Sequence, residues 1–228
     1  MRITYYCIMR KLVIFLSLLL LFTVAFSHSK ASSIITTIAG TYASQGYSGD
    51  ANLAINAQLN NPYGVAVDNL GNVYIADKSN CVIRKVSATD GKISTVAGIA
   101  GVNGYSGDGG QATSAKLNFP FGIAVDNVGN LYIADTYNHV IRKVSASGGI
   151  ITTVVGTAGV FSYSGDGGPA ISATLSHPSG VALDNAGNIY IADAVNDVIR
   201  KVSSADGKIS TVAGNGSGDY LGDGGLSG

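Results

Sequence analysis

The sequence predicts an all-β protein built from a repeated unit of four short antiparallel strands. All 14 acidic residues are Asp, although Glu is the acid that favours helices. The 31 glycines, with many Asn and Asp residues, separate short β-branched or aromatic runs, which is the pattern of strands joined by tight turns. The same sequence pattern repeats every 58 residues, as shown by Gly40, Gly98, Gly156 and Gly214. A four-stranded repeat of this length is typical of a β-propeller blade.

Composition and charge exclude several classes of protein. The 14 Lys and Arg residues balance the 14 acids, so the formal net charge is zero and the chain lacks the positive surface of a nucleic-acid-binding protein. The composition also differs from that of a collagen, a disordered chain or a disulfide scaffold. We therefore expect a globular protein without a nucleic-acid partner.

The N-terminus resembles a secretory signal peptide. Arg10 and Lys11 precede an apolar run over residues 12–26, which is shorter than the span of about 20 residues needed to cross a bilayer. We expect a signal peptide over residues 1–31, cleaved near residue 27 or 31. An uncleaved anchor is the alternative, and the leader is the only expected membrane contact. The mature protein is then secreted, periplasmic or on the cell surface.

Each copy of the repeat contains four predicted strands. Asp68–Asn72 supplies the first hairpin, because Asp and Asn bind nearby backbone groups and glycine accepts a positive φ. A β-solenoid is the rival architecture, but its coils are usually shorter and need no hairpins. Stacked blades bury both faces of each sheet. This explains why the inner strands are apolar at odd and even positions alike. The predicted blades cover residues 62–97, 120–155 and 178–213.

The predicted ring is incomplete. Propellers contain about four to eight blades, and this sequence holds three complete copies. Residues 34–39 match the fourth strand of a blade, so we expect an orphan N-terminal strand there, and a truncated fourth repeat covers residues 209–228. One hypothesis is that the chain is a fragment of a longer protein that supplies the remaining blades. The other is that a second copy closes the ring.

Glycine-rich loops repeat one Tyr and one Asp on the face where the inter-blade loops open. This ring of side chains suggests a site for a glycan or for Ca²⁺. Calcium takes six to eight oxygen ligands and each loop offers one carboxylate, so we expect no cofactor, and turn formation by Asp is the favoured interpretation. Tyr220 and Asp223 repeat the pattern less regularly. The candidate ligand-binding residues are Tyr47, Asp50, Tyr105, Asp108, Tyr163 and Asp166.

Three other positions of the repeat carry reactive side chains in every copy. Asp77 and its equivalents end the second strand, and their repetition in every blade favours Asx turns over catalysis, which needs one asymmetric site. Arg84 and its equivalents lie in a half-charged third strand, which predicts a solvated outer strand whose arginines reach an Asp of a neighbouring blade. Cys81, His139 and Asp197 occupy the same position in three successive copies, and all three are residue types that bind metals. Equivalent positions of different blades lie far apart when they are away from the propeller axis. We therefore predict neither a catalytic set nor a metal site.

These motifs together resemble the NHL repeat. Each copy follows the pattern Pro-x-Gly-Val/Ile-Ala-Val/Leu-Asp-x-x-Gly-Asn-x-Tyr-Ile-Ala-Asp, and the Tyr-Ser-Gly-Asp-Gly-Gly loops look like those of secreted, teneurin-type NHL domains. The resemblance covers about residues 34–228 and implies a propeller that is typically six-bladed. NHL propellers serve as interaction scaffolds, sensor domains and occasionally enzymes. We expect an exported scaffold that binds protein or carbohydrate through its loop face. The alternative is a fragment of an NHL-like lyase or hydrolase whose active site lies in missing blades.

Overall fold

The computed structural model of the chain describes residues 34–218. Residues from Thr37 onward belong to one compact unit, whereas the short segment 34–36 is grouped apart from it and is exposed. The expected signal peptide lies outside the described residues, as do Tyr220 and Asp223. Between residues 34 and 218, no helix has the length and apolar character needed to cross a bilayer.

Three antiparallel four-stranded sheets make up the compact unit, and they do not close a ring. This confirms the predicted all-β architecture of blades and its incompleteness. The first blade contains β1 (Pro62–Val67), β2 (Val73–Asp77), β3 (Val82–Val86) and β4 (Ile93–Ala97). The second contains β5 (Pro120–Val125), β6 (Leu131–Asp135), β7 (Val140–Val144) and β8 (Ile151–Val155). The third contains β9 (Pro178–Leu183), β10 (Ile189–Asp193), β11 (Val198–Val202) and β12 (Ile209–Ala213).

The turn between the first two strands of each blade is closed by one Asp. In the first blade, Asp68 Oδ1 accepts hydrogen bonds from the N–H groups of Leu70, at 3.0 Å, and Asn72, at 2.9 Å. The Asn72 amide group also donates to Asp68 Oδ2 at 2.8 Å. The turns at Asp126 and Asp184 repeat this arrangement. Local side-chain bonds of this type explain the predicted hairpins.

Short 3₁₀ helices connect the second and third strands and interrupt the inter-blade segments. The first group covers Lys78–Asn80, Thr136–Asn138 and Ala194–Asn196, and the second covers Ala54–Asn56, Ala112–Ser114 and Ala170–Ser172. Ala112, Ala115 and Leu117 of one inter-blade segment insert between the first and second blades. There they share an apolar core with Ile83 and Ile133. The inserted segment separates the sheets, whereas their innermost strands lie directly against each other, which gives a wedge-shaped contact.

Residues 34–39 carry no regular strand, in contrast to the expected orphan strand there. A strand needs a hydrogen-bonding neighbour, and the described residues of this chain provide no blade with a vacant fourth position. Ile34, Ile35 and Ile38 are accordingly exposed. The segment becomes anchored at Ala39, which packs against the apolar core around Ile75 and Ile93, and at Gly40, whose N–H donates to the Ala54 carbonyl at 2.9 Å.

Glycine allows the innermost strands of neighbouring blades to approach closely. A Cβ atom added to Gly122 would lie 2.8 Å from the Gly180 Cα and 2.8 Å from the Ser179 carbonyl oxygen. A Cβ atom on Gly64 would lie 2.3 Å from the Phe121 carbonyl oxygen. A Cβ atom on Gly180, in the last blade, would meet only the Ala192 Cβ, at 3.5 Å. The same motif position is therefore crowded wherever a following blade is present.

We predict that Gly122→Ala destabilises the fold by about 1–3 kcal/mol, because two blade backbones must separate to admit the methyl group. Gly180→Ala is the matched control and should change the free energy of unfolding by less than about 0.5 kcal/mol. Urea denaturation of both variants in dilute solution measures the difference. Equal stabilities would contradict the close approach of the inner strands.

Candidate functional site on the loop face

Two sets of loops form one face of the three blades, which we call the loop face. The inter-blade segment contacts the connection between β2 and β3, since Asn80 Nδ2 donates to the Gly46 carbonyl at 2.7 Å and the Gly101 N–H donates to the Asn80 carbonyl at 2.9 Å. Asn138 and Asn196 make the bond equivalent to that of Asn80 in the next two blades. The turns closed by Asp68 and its equivalents lie at the opposite ends of the strands.

A buried arginine joins each loop to its blade. Arg84 is fully buried; its Nη2 donates to Asp50 Oδ1 at 2.6 Å and its Nη1 lies 3.4 Å from Asp77 Oδ2. Nη2 also donates to the Ser48 carbonyl at 3.0 Å, and the guanidinium stacks on the Tyr47 ring at 4.7 Å. We call this set the arginine clamp. The equivalent clamps centre on Arg142 and Arg200.

The clamp corrects the prediction that these arginines lie on a solvated outer strand. Arg84, Arg142 and Arg200 are each 0% exposed. The inter-blade loop folds over the third strand and brings its own carboxylate, so the charge is neutralised without solvent. Lys85 and its equivalents, the next residues along the strand, keep partial exposure, with the ammonium of Lys85 5.6 Å from the Tyr74 ring.

The carboxylate at the end of the second strand also differs from its predicted role. Asp77 Oδ1 accepts from the Asn60 N–H at 2.7 Å, and Oδ2 accepts from Asn80 Nδ2 at 2.8 Å. The backbone bond therefore reaches back to the inter-blade segment instead of closing an Asx turn. Asp77, Asp135 and Asp193 are fully buried and cannot touch a ligand.

Burial dominates the electrostatics of these carboxyls. It raises the pKa of all three above the ordinary value, against the opposing effect of the asparagine, backbone and arginine hydrogen bonds. Asp135 reaches about 6, because the middle blade is covered on both sides.

The six loop residues proposed from sequence lie in the clamps. The Tyr47 hydroxyl donates to Asp50 Oδ2 at 3.0 Å and is 2.7 Å from Thr95 Oγ1, and the Thr95 N–H also donates to Asp50. Partial burial would raise the pKa of Asp50, but the Arg84 guanidinium and these hydrogen bonds lower it below the ordinary value. The pairs Tyr105–Asp108 and Tyr163–Asp166 repeat the arrangement. Their hydrogen-bonding groups serve the fold, and ligand contact by their exposed parts stays a prediction.

The column Cys81, His139 and Asp197 occupies the residue after each connecting 3₁₀ helix, where the backbone has a positive φ. His139 Nδ1 accepts a hydrogen bond from the His177 N–H at 3.1 Å, and the two rings meet edge-on at 4.4 Å. Burial, followed by the nearby His177, lowers the pKa of His139 below the ordinary value. Over residues 34–218, no three His, Cys or Asp side chains are grouped closely enough to hold a metal ion.

An aromatic row on the loop face was missed by sequence reasoning. It begins with Tyr63 and Phe121, whose ring centroids are 4.5 Å apart, and continues from Phe121 to Tyr137 at 6.4 Å and from Tyr137 to His177 at 5.2 Å. The Lys78 ammonium lies 4.3 Å from the Phe121 ring centroid. We call this row the aromatic strip; its members are Tyr63, Phe119, Phe121, Tyr137, His139, Phe161 and His177.

Much of the strip faces solvent. Tyr63 is 62% exposed, Tyr137 48% and Phe161 69%. The sequence does contain a signal for it, because strip positions differ between copies. Phe121 corresponds to Ser179, and Tyr137 corresponds to Ser79. Such variation within an otherwise regular repeat marks positions that the fold does not require.

Comparison with known proteins identifies the family. The model of the teneurin NHL domain matches residues 35–106, 101–164 and 158–220. The chain belongs to the teneurin NHL domain family. This confirms the resemblance seen in the repeat motifs.

Individual relatives are more distant and much longer. Protein SUPPRESSOR OF QUENCHING 1, chloroplastic, of Arabidopsis thaliana is 26% identical over 188 residues, which cover 79% of this chain and 18% of that protein. Human Teneurin-4 is 38% identical over 103 residues, which cover 40% of this chain and 4% of that protein. The chain thus spans less than a fifth of the length of either relative.

Solved structures agree with the fold. A structural genomics protein of unknown function from Bacteroides thetaiotaomicron superposes with a TM-score of 0.52 and 23% identity. The match covers 68% of this chain and 36% of that protein. A likeness at this level of identity shows a shared fold.

We predict that Arg142→Met lowers the free energy of unfolding by about 3–5 kcal/mol, because Asp135 then remains buried without its cation. Lys143→Met removes a half-exposed charge from the neighbouring position of the same strand and should cost less than about 1 kcal/mol. Chemical denaturation of both variants tests the clamp, and similar losses would show that the buried arginine has no special role.

The raised pKa of Asp135 predicts an unusual pH dependence. The folded chain holds this proton more tightly than the unfolded chain, so the contribution of the carboxyl to stability is present at acidic pH and is lost as pH rises from about 4 to about 6. The free energy of unfolding of the wild type, relative to Asp135→Asn, should fall by roughly 3 kcal/mol over this range. Carbon-13 NMR titration of the wild-type carboxyl gives an independent value. A midpoint below the ordinary Asp value would refute the prediction.

Proposed function

We propose that the chain is an exported, non-enzymatic binding module that holds a protein or carbohydrate ligand on its loop face. The aromatic strip carries this proposal, because its exposed and half-buried rings run from the first blade across the second to the segment before the third. Exposed Tyr and Phe side chains provide large apolar contacts together with polar edges, and such residues are enriched in the centres of binding interfaces. Export is supported by the leader sequence at residues 1–31.

Unused polar groups along the strip suit a ligand with hydrogen-bonding groups. The hydroxyls of Tyr63 and Tyr137 make no hydrogen bond within the described part of the chain. Lys78 adds a positive charge beside the rings of Tyr63 and Phe121. Rings, hydroxyls and one cation together fit an extended peptide or a sugar chain lying across the face.

The enzyme alternative, an NHL-like lyase or hydrolase, receives no support from the described residues. The buried carboxylates of the clamps are paired with arginine and cannot reach a substrate. His139 and His177 contact each other through one backbone hydrogen bond, and neither is bonded to a carboxylate among residues 34–218.

A triple variant tests the binding face. Tyr63→Ser, Phe121→Ser and Tyr137→Ser replace strip residues by serine, the residue that stands at equivalent positions as Ser179 and Ser79, so the fold should be retained. A glycan array and a displayed random-peptide library serve as probes and separate the two ligand classes. Each lost aromatic contact should weaken binding about fivefold or more, as expected for side chains worth over 1 kcal/mol.

The control variant combines Leu70→Ser and Val128→Ser, which remove exposed apolar residues from the turns at the opposite ends of the strands. It should bind as the wild type does. Failure of both probes to bind the wild type, or equal binding by the triple variant, would overturn the proposal.

A further inference from the structure

A histidine ring is the hydrogen-bond acceptor at the junction between the second and third blades. Nδ1 of His139 accepts the backbone N–H of His177 at 3.1 Å, so the neutral ring carries its proton on Nε2. His139 is buried, and the segment that contains His177 leads directly into β9. The atom that joins the two blades here is therefore the atom that a second proton on the ring would occupy.

Protonation of His139 is incompatible with this bond. An imidazolium ring is a donor at both nitrogens, so its Nδ1–H would face the N–H of His177 and neither donor would have an acceptor. Burial and the charge of His177 hold the pKa of His139 below its ordinary value, so the ring is largely neutral at pH 7. As the pH falls through this lowered value, the bond has to break for the proton to bind.

The backbone at His177 can respond to the loss of this bond. His177 has a φ of +50°, an uncommon conformation for a residue other than glycine, which the surrounding contacts must maintain. Its neighbours are held independently, since the Ser176 N–H donates to Asp193 Oδ1 at 2.6 Å. On the other side, the Pro178 carbonyl accepts a hydrogen bond from the second blade at 2.8 Å. Loss of the histidine bond would therefore release one residue and leave the third blade in place.

His177 is also a member of the aromatic strip. Its ring meets the Tyr137 ring edge-on at 5.2 Å and the His139 ring edge-on at 4.4 Å. Tyr137 in turn contacts Phe119, with the ring centroids 5.3 Å apart. A rotation of the backbone at His177 would thus displace a ring of the strip and change the surface beside Tyr137.

The groups that surround His139 leave His177 as the titratable group that acts on its charge. The ring of Phe161 lies 5.5 Å away and is uncharged. The buried ion pairs of the two flanking blades are Asp135–Arg142 and Asp193–Arg200. In both pairs the arginine offsets the carboxylate, and neither carboxylate is hydrogen-bonded to His139 within residues 34–218.

The junction between the first and second blades provides an internal control. Cys81 and Phe119 stand there one repeat before His139 and His177, and a hydrogen bond from the Phe119 N–H favours the thiolate of Cys81. Burial nevertheless raises the pKa of Cys81 above its ordinary value, so the thiol neither gains nor loses a proton between about pH 5 and about pH 8. Mild acid should therefore affect the second of these two junctions and spare the first.

We propose that protonation of His139 in mild acid releases His177 and displaces its ring, so that the part of the aromatic strip around Tyr137 changes with pH. The regulation of ligand binding by this change rests on the proposed function of the loop face. A ligand held against Tyr137 and His177 then binds near neutral pH and dissociates in acid.

NMR titration of the chain without any ligand tests the release itself. Between about pH 8 and about pH 5, the ring signals of His139 and the amide signal of His177 should shift with one common midpoint, below the ordinary value for histidine. Protection of the His177 amide from hydrogen exchange, corrected for the intrinsic effect of pH, should fall about tenfold as the bond is lost. A His139 ring that titrates while this amide and its protection stay unchanged would overturn the proposal.

Two substitutions that copy the first junction separate the roles of the two histidines. His139→Cys removes the titrating ring and should abolish the response of the His177 amide to pH. His177→Phe keeps the backbone N–H and should retain the response at residue 177, with a higher midpoint because the charge of His177 no longer opposes protonation. The buried carboxylates are present in all three proteins, so their titration is common to all. A response that survives His139→Cys, or that is absent from His177→Phe, contradicts the assignment.

Binding measurements test the regulation separately. The probe is a glycan or displayed peptide that binds the wild type at about pH 8 and is weakened by Tyr137→Ser. Its affinity for the wild type should fall about fivefold or more at about pH 5, as expected for the loss of one aromatic contact, whereas His139→Cys should show little change. An equal loss in both proteins would refute the regulatory role. If no probe binds at either pH while the His177 amide responds, the proposed function fails and the release of His177 stands.

Discussion

The burial of one arginine in every blade is the constraint on which the rest of the structure depends. A buried cation is tolerated only when it is neutralised and hydrogen-bonded, and Arg84 meets this requirement with two carboxylates and two backbone carbonyls. One carboxylate, Asp77, comes from the sheet, and the other, Asp50, comes from the loop before it. The clamp thereby fixes the glycine-rich loop on the blade. That attachment gives the loop face a defined shape although it contains little regular structure.

The sheets could be predicted from sequence because their signals are local. Alternating turn residues and β-branched runs mark each strand, and an exact interval of 58 residues copies the pattern three times. The burial of Arg84 could not be predicted in this way. Its two carboxylate partners lie 34 and 7 residues away, and a charged residue in a third strand ordinarily indicates solvent. The wrong expectation for Asp77 has the same cause, since its backbone partner, Asn60, belongs to the segment before the blade.

In the candidate site, the residues that repeat in every copy serve the fold, and the residues that vary between copies form the exposed surface. Tyr47 and Asp50 were predicted as ligand-binding residues because they recur in each copy. They recur because each blade uses them to hold its buried arginine. The aromatic strip consists of positions that change between copies, and its members come together only when the first two blades and the segment before the third are placed side by side. Tyr63 and Phe121 are one repeat apart in sequence but in ring contact. Departures from the repeat mark such positions in the sequence, but only the fold brings their side chains into contact.

The contacts of each clamp have a consequence for how the protein can change in evolution. Arg84 and its partners all fall between Gly40 and Ala97, and the sets around Arg142 and Arg200 fall within the two following intervals. A duplication or deletion in the gene that respects these limits adds or removes a complete set of compensated ions. No such event leaves a buried arginine without its carboxylate partners. The loss of stability then comes only from apolar surface that is exposed at the end blades. Changes in the number of copies are therefore easier for this architecture than changes within a copy, which agrees with the near identity of its three units.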